Sequence, residues 1–196
     1  MKSTIKIELQ KHIEENINVH EKLLEFSKDI NELIEIIQKK LNKGGKILFC
    51  GNGGSAADAQ HFSAEFLVRL RPWVNRNPIP ALTLAQDTST LTACGNDYSF
   101  DDIFLRPFQA LAKKNDILFC ITTSGNSKNI IKVLKEAKKS RVFSFGLLGK
   151  GGGKAKKLCS KSLTIPSNNT ARIQECHIFL GHFILEKIED IIIKRK

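Results

Sequence analysis

The chain has 196 residues, 41% of them hydrophobic, with 31 Lys and Arg against 20 Asp and Glu for a net charge of +11, enough for one domain with a real core plus a helical extension. No stretch approaches the roughly 20 apolar residues of a membrane span, and the N-terminus, MKSTIKIELQKHIEEN, is amphipathic and carries acids instead of an apolar leader, so a cytoplasmic protein is expected. The lysines are spread along the chain without an arginine-rich run or basic–aromatic interleaving, so the charge reads as a solvated surface that attracts an anionic substrate, not as a nucleic-acid footprint.

From Thr4 to about Leu41, Ile5, Leu9, Ile13, Ile17, Leu24, Ile30, Leu33, Ile34, Ile37 and Leu41 recur at helical spacing. Ser27-Lys28-Asp29 is the expected break between two helices. Residues 1–43 thus form a helical extension before a domain spanning 44–196. Its apolar faces need cover from that domain or from a partner chain, and an oligomer is the natural outcome.

Lys46 to Cys50 is the first expected strand, followed by the turn Gly51-Asn52-Gly53-Gly54-Ser55 and a helix through Phe66. Ala81 to Ala85 is a second strand. A short helix over Ser89–Cys94 should end at Gly95-Asn96-Asp97, and another should run from Asp102 to Lys113. The third strand, Asp116 to Ile121, runs into Thr122-Thr123-Ser124-Gly125-Asn126-Ser127. A helix over Lys128–Lys139, a strand over Val142–Leu147, a glycine-lysine loop over Gly149–Gly153, a short strand over Ser162–Ile165 and a helix from about Ala171 to Ile193 complete the chain. Strands alternating with helices predict an α/β fold, a parallel sheet covered on both faces. The five cysteines form no C-x-x-C pair, and two lie in apolar strands; they read as reduced residues, not a disulfide frame.

Three constellations carry chemistry. The turn over Gly51–Ser55 is strand–glycine–helix, which presents backbone N–H groups and a helix N-terminus to an anion, with Ser55 placed to cap the helix. The second loop puts four hydroxyls and a glycine at another strand end, which suits a phosphate monoester. There is no G-x-x-x-x-G-K-[ST] motif, so no nucleotide cofactor is expected. His61 and Glu65, four apart, share one face of the helix after the first turn; alone, such a pair is most often a surface pair, but it follows an anion turn directly. Gln174 and His182 lie on the last helix, about 12 Å apart along an ideal axis. Both can scarcely reach one small site from one straight helix, which hints at sites shared between copies.

The ordered segments CGNGGSAADAQHFSAE, GNDYSFDDIF, TTSGNSKNI and ARIQECHIFLGH, from Cys50 to His182, resemble the SIS (sugar isomerase) domain family and within it the phosphoheptose isomerases. The resemblance implies a three-layer αβα sandwich with a five-stranded parallel sheet, preceded by two N-terminal helices and assembled as a homotetramer with composite active sites. It implies conversion of sedoheptulose 7-phosphate to an aldoheptose 7-phosphate through an enediol, as the first step towards activated heptose for lipopolysaccharide or capsule. It implies sugar-phosphate contacts at Asn52, Gly53, Gly54, Ser55, Glu65, Asn96, Asp97, Thr122, Thr123, Ser124, Ser127 and Gln174. It further implies zinc at His61, Glu65, Gln174 and His182, an N/O ligand set of the kind zinc takes.

Isomerisation beside a carbonyl needs a carboxylate base and an acid that moves protons at oxygen. Glu65 is the better base and His182 the better acid. Some family members carry aspartate where Ala171 stands here, so any contact made by that aspartate is absent or met otherwise. Two rivals remain at this stage. One is a non-catalytic SIS protein associated with the replication initiator, a branch that generally lacks the Glu–His pair present here. The other is an isomerase of a different sugar phosphate, because phosphate loops read the phosphate and not the carbon chain.

Overall fold

The computed structural model describes residues 2–85 and 87–194. Two N-terminal helices, α1 (Lys2–Glu21) and α2 (Ser27–Leu41), are joined by a 3₁₀ turn over Lys22–Phe26. The chain therefore breaks before Ser27 and not at the expected Ser27-Lys28-Asp29, which opens α2. Then follow β1 (Ile47–Gly51), α3 (Gly54–Leu67), β2 (Ala81–Thr83), α4 (Thr88–Asp97), α5 (Leu105–Leu111), β3 (Ile117–Thr122), α6 (Lys128–Lys139), β4 (Phe143–Leu148), β5 (Lys161–Thr164) and α7 (Thr170–Ile193).

The five strands form one parallel sheet in the order β2-β1-β3-β4-β5. Side chains alternate across it. Ile47 and Phe49 of β1 join a core built with α2, α3 and α7, whereas Leu48 and Cys50 face a second core with α5 and α6. Phe49, Phe119 and Phe145 pack in tilted ring contacts across three adjacent strands, at centroid distances of 5.1 and 4.9 Å. This is the expected three-layer αβα sandwich. All five cysteines are free thiols; Cys50 and Cys120 are register partners whose sulfurs lie 3.3 Å apart, and burial pushes the Cys159 thiol up to about 12.

Two expectations differ locally. The helix expected to stop before Gly95 continues through Asp97, started by Asp87, whose carboxylate accepts from the Thr90 N–H at 2.7 Å. The single helix expected over Asp102–Lys113 is a 3₁₀ turn, Phe100–Asp102, followed by α5.

In the N-terminal extension the apolar face divides. Ile30, Leu33, Ile34 and Ile37 of α2 are buried in the first core, while Ile5, Leu9, Ile13 and Ile17 of α1 are each at least half exposed in the single chain. α1 is tied to α7 through Asn16, which donates to Glu175 at 2.5 Å, and through Arg172, which donates to the His12 carbonyl at 2.9 Å. Among the described residues no helix is long and apolar enough to cross a membrane.

Candidate active site

The sheet order reverses between β1 and β3, and ligands of open α/β sheets bind in the crevice beyond the strand ends at such a point. Both loops expected to hold an anion lie there. Gly53 caps α3 at φ 57°, ψ −123°, a conformation that glycine adopts without strain. Ser55 does not cap the helix as expected; it sits in the first turn, 3% exposed, and lines a cavity of about 110 Å³ with Asn52, Ile121, Thr122, Thr123, Ser124 and Ser127. The second loop is braced from within: the Thr122 hydroxyl oxygen accepts from the Gly125 N–H at 3.3 Å, and that of Ser124 from the Asn126 N–H at 3.2 Å. Accepting leaves each hydroxyl proton available for an anion.

The two loops are locked together by a pair that sequence reading missed. Asn52 and Asn129 exchange two amide hydrogen bonds, each 2.9 Å, and Asn129 is 2% exposed. The only signal for it was an asparagine at the second position of α6. A neighbouring cavity of about 180 Å³ shares Asn52 and is lined also by Gly53, Gln60, Thr83 and Phe100. Asn96 and Asp97 line neither cavity. Because α4 runs through them, they sit in its last turn, exposed, with Asn96 donating to Asp97 at 2.8 Å.

Further along α3 stand His61 and Glu65. Their facing helix is α7, and two contacts fix how the helices pass. At one end the Gln174 amide lies over Gly54, so that a Cβ there would stand 2.3 Å from its nitrogen. At the other, Phe62 packs onto Gly181, where a Cβ would meet the ring at 1.9 Å. His182 consequently faces His61, with Nε2 to Nε2 at 2.8 Å; one ring donates and the other accepts, so the facing nitrogens cannot both carry protons. Glu65 Oε1 is 3.8 Å from His61 Nε2, and Glu65 Oε2 is buried with no hydrogen-bond partner among the described residues. Burial, then the neighbouring His61, holds His182 below the usual imidazole range, against a smaller pull from Glu65. Asp58, one turn before His61 and absent from the sequence reading, has its carboxyl pushed up by burial, partly countered by His61.

Of the four expected zinc ligands, one chain brings His61, Glu65 and His182 together and leaves Gln174 beside Gly54. Among the described residues no three His, Cys, Asp or Glu side chains stand as a preformed metal cage. The imidazole nitrogens at 2.8 Å are hydrogen-bonded to each other; tetrahedral zinc ligands at about 2.0–2.1 Å would stand wider apart. The donor chemistry nonetheless fits zinc: two imidazoles and a carboxylate whose buried Oε2 lacks a partner.

The sequence pattern of the SIS domain family matches residues 12–148. The phosphoheptose isomerase of Campylobacter concisus is 46% identical over 188 residues, covering 93% of this chain and 97% of its own. Among solved structures, the phosphoheptose isomerase of Neisseria gonorrhoeae superposes with a TM-score of 0.88 at 37% identity, covering 95% of this chain and 99% of its own. That of Francisella tularensis gives 0.89 at 34%, covering 97% of this chain and 100% of its own.

Proposed function

The chain belongs to the SIS domain family, among its phosphoheptose isomerases, and from that premise we propose that it converts sedoheptulose 7-phosphate to D-glycero-D-manno-heptose 7-phosphate. That the chain is a sugar-phosphate isomerase follows from its relatives; the heptulose is proposed here. One observation carries it: a hydroxyl-lined anion cavity at the switch point, with a carboxylate–imidazole pair farther along the helix that starts there. Ten residues separate Ser55, at the phosphate end, from Glu65, at the reacting end, about 15 Å along the helix.

In this mechanism the Ser55, Thr122, Thr123, Ser124 and Ser127 hydroxyls and the backbone around Gly53 hold the phosphate, and the Asn52–Asn129 pair keeps the two loops in register. Glu65 removes the proton from C1 beside the C2 carbonyl and returns it to C2. His182, facing His61 across the two helices, transfers protons between the oxygens on C1 and C2. The same carboxylate can serve both directions because the two carbons are adjacent. His61, Glu65 and His182 would hold zinc, and a bound zinc would polarise the carbonyl and hydroxyl oxygens.

The exposed apolar stripe on α1 supports assembly as a homotetramer, which in this reading carries composite sites. In this reading the product feeds activated heptose synthesis for lipopolysaccharide or capsule. The test is incubation with sedoheptulose 7-phosphate, with zinc or with a chelator, followed by NMR. Aldoheptose 7-phosphate formation supports the reading, and the chelator arm decides the metal. Turnover of a five- or six-carbon ketose phosphate in preference would replace the substrate. Binding without turnover under every metal condition would leave a non-catalytic SIS protein.

A further inference from the structure

We infer that Arg76 and Glu189 form a positioning clamp that sets the placement of Glu65 against His182; this rests on Glu65 and His182 being the base and acid. α3 ends at Leu67, so the carbonyls of its last turn lack donors within the helix. The Arg76 guanidinium supplies them: Nη2 donates to the Glu65 carbonyl at 2.6 Å and Nη1 to the Phe66 carbonyl at 2.9 Å. Nη1 also reaches the Asn77 carbonyl at 3.1 Å. The third edge of the same planar group, Nε, donates to Glu189 on α7 at 2.7 Å. One rigid fork thus joins the backbone of Glu65 to the helix that carries His182.

Glu189 lies seven residues after His182, two turns on and on the same side of α7. Its other oxygen accepts from Arg71 Nε at 2.9 Å, and Arg71 reaches on to Asp190 at 2.8 Å. The Arg76 and Glu189 side chains are 1% and 0% exposed. A buried ion pair of this kind adds little stability over well-packed apolar residues. What it supplies here is direction: three donors at fixed angles, a geometry that the single ammonium of lysine does not reproduce. Phe62 on Gly181 fixes the helices at the level of His61, and the clamp fixes them beyond Glu65, so the base is bracketed on both sides.

The test is Arg76→Lys in the full-length protein, with Arg76→Met/Glu189→Leu as a second variant that removes both buried charges together. Asp116→Asn serves as control, because Asp116 is 1% exposed, bonds Lys46 at the opposite end of the sheet, and is remote from the site. Both clamp variants are expected to lose roughly ten- to a hundredfold in kcat, the scale of a misplaced reacting group, with KM within twofold of the parent. Asp116→Asn should lower Tm and leave kcat unchanged. The imidazole NMR signals of His61 and His182 at fixed pH should move in the clamp variants and stay in the control. This arm holds even if the parent proves inactive on the chosen sugar, which would instead count against the substrate. A folded clamp variant with parental kcat and unmoved imidazole signals overturns the inference. So does a kcat loss matched by Asp116→Asn at equal Tm. Should Arg76→Lys fail to fold, the double variant, in which Arg71 keeps Asp190 as its partner, decides.

Discussion

Asn52 and Asn129 face each other across the switch point and exchange two 2.9 Å hydrogen bonds, joining the turn after β1 to the first turn of α6. Each amide satisfies a donor and an acceptor of the other, so removing Asn129 leaves the half-buried Asn52 amide without that partner. Asn129→Ala should destabilise the fold by about 1–3 kcal/mol and raise KM several-fold, since Asn52 loses its register with the hydroxyl loop. Denaturant melts together with steady-state kinetics check both effects. A variant with unchanged KM would separate the pair from substrate binding.

Gly181 is where α7 comes closest to α3. A Cβ at 1.9 Å from the Phe62 ring requires the helices to part, and Gly181→Ala should cost about 1–3 kcal/mol as overpacking. Because His61 and His182 flank this contact, kcat should fall as well. Adding Phe62→Leu should recover part of both losses; calorimetry and a turnover assay on the single and double variants report this.

Acid should weaken the fold through His177. Its ring is fully buried, its Nε2 donates to the Leu148 carbonyl at 3.2 Å, and burial lowers its pKa to about 4, the hydrogen bond only partly offsetting this. The unfolded chain, with an ordinary pKa near 6.5, binds the proton first. Stability is therefore full above about pH 6.5 and is lost as pH falls towards 4, by roughly 2–3 kcal/mol at pH 4.5. His177→Gln, which retains a donor for Leu148, should flatten that slope in melts from pH 7 to 4.5. An equal slope in parent and variant would assign the acid sensitivity elsewhere.

Much of this was legible in the sequence because the signals are local. The run Lys46–Cys50 followed by glycines marked β1 and its turn to within one residue, and the bounds of α6, Lys128–Lys139, were read as they stand. The two loops expected to hold an anion stand where the sequence placed them because each joins an apolar strand to a helix. What escaped is tertiary. Nothing local shows that Asn129 pairs with a residue 77 positions earlier, or that Arg76 is clamped by a glutamate 113 positions on. Gly95 read as a helix stop by its propensity, yet α4, started by Asp87, carries through it and takes Asn96 and Asp97 away from the cavities. Gln174 and His182 looked too far apart to reach one small site from one straight helix; within the chain one meets Gly54 and the other His61.

Deuterium exchange tests whether Glu65 moves the proton between C1 and C2. Sedoheptulose 7-phosphate is incubated in D₂O with the parent and with Glu65→Gln, and deuterium at C1 of the ketose and C2 of the aldose is followed by NMR. The parent should incorporate deuterium and the variant should lose about 10²–10⁴-fold, the usual contribution of a positioned base, with the fold and phosphate binding retained. Exchange by Glu65→Gln at the parent's rate would contradict that role for Glu65.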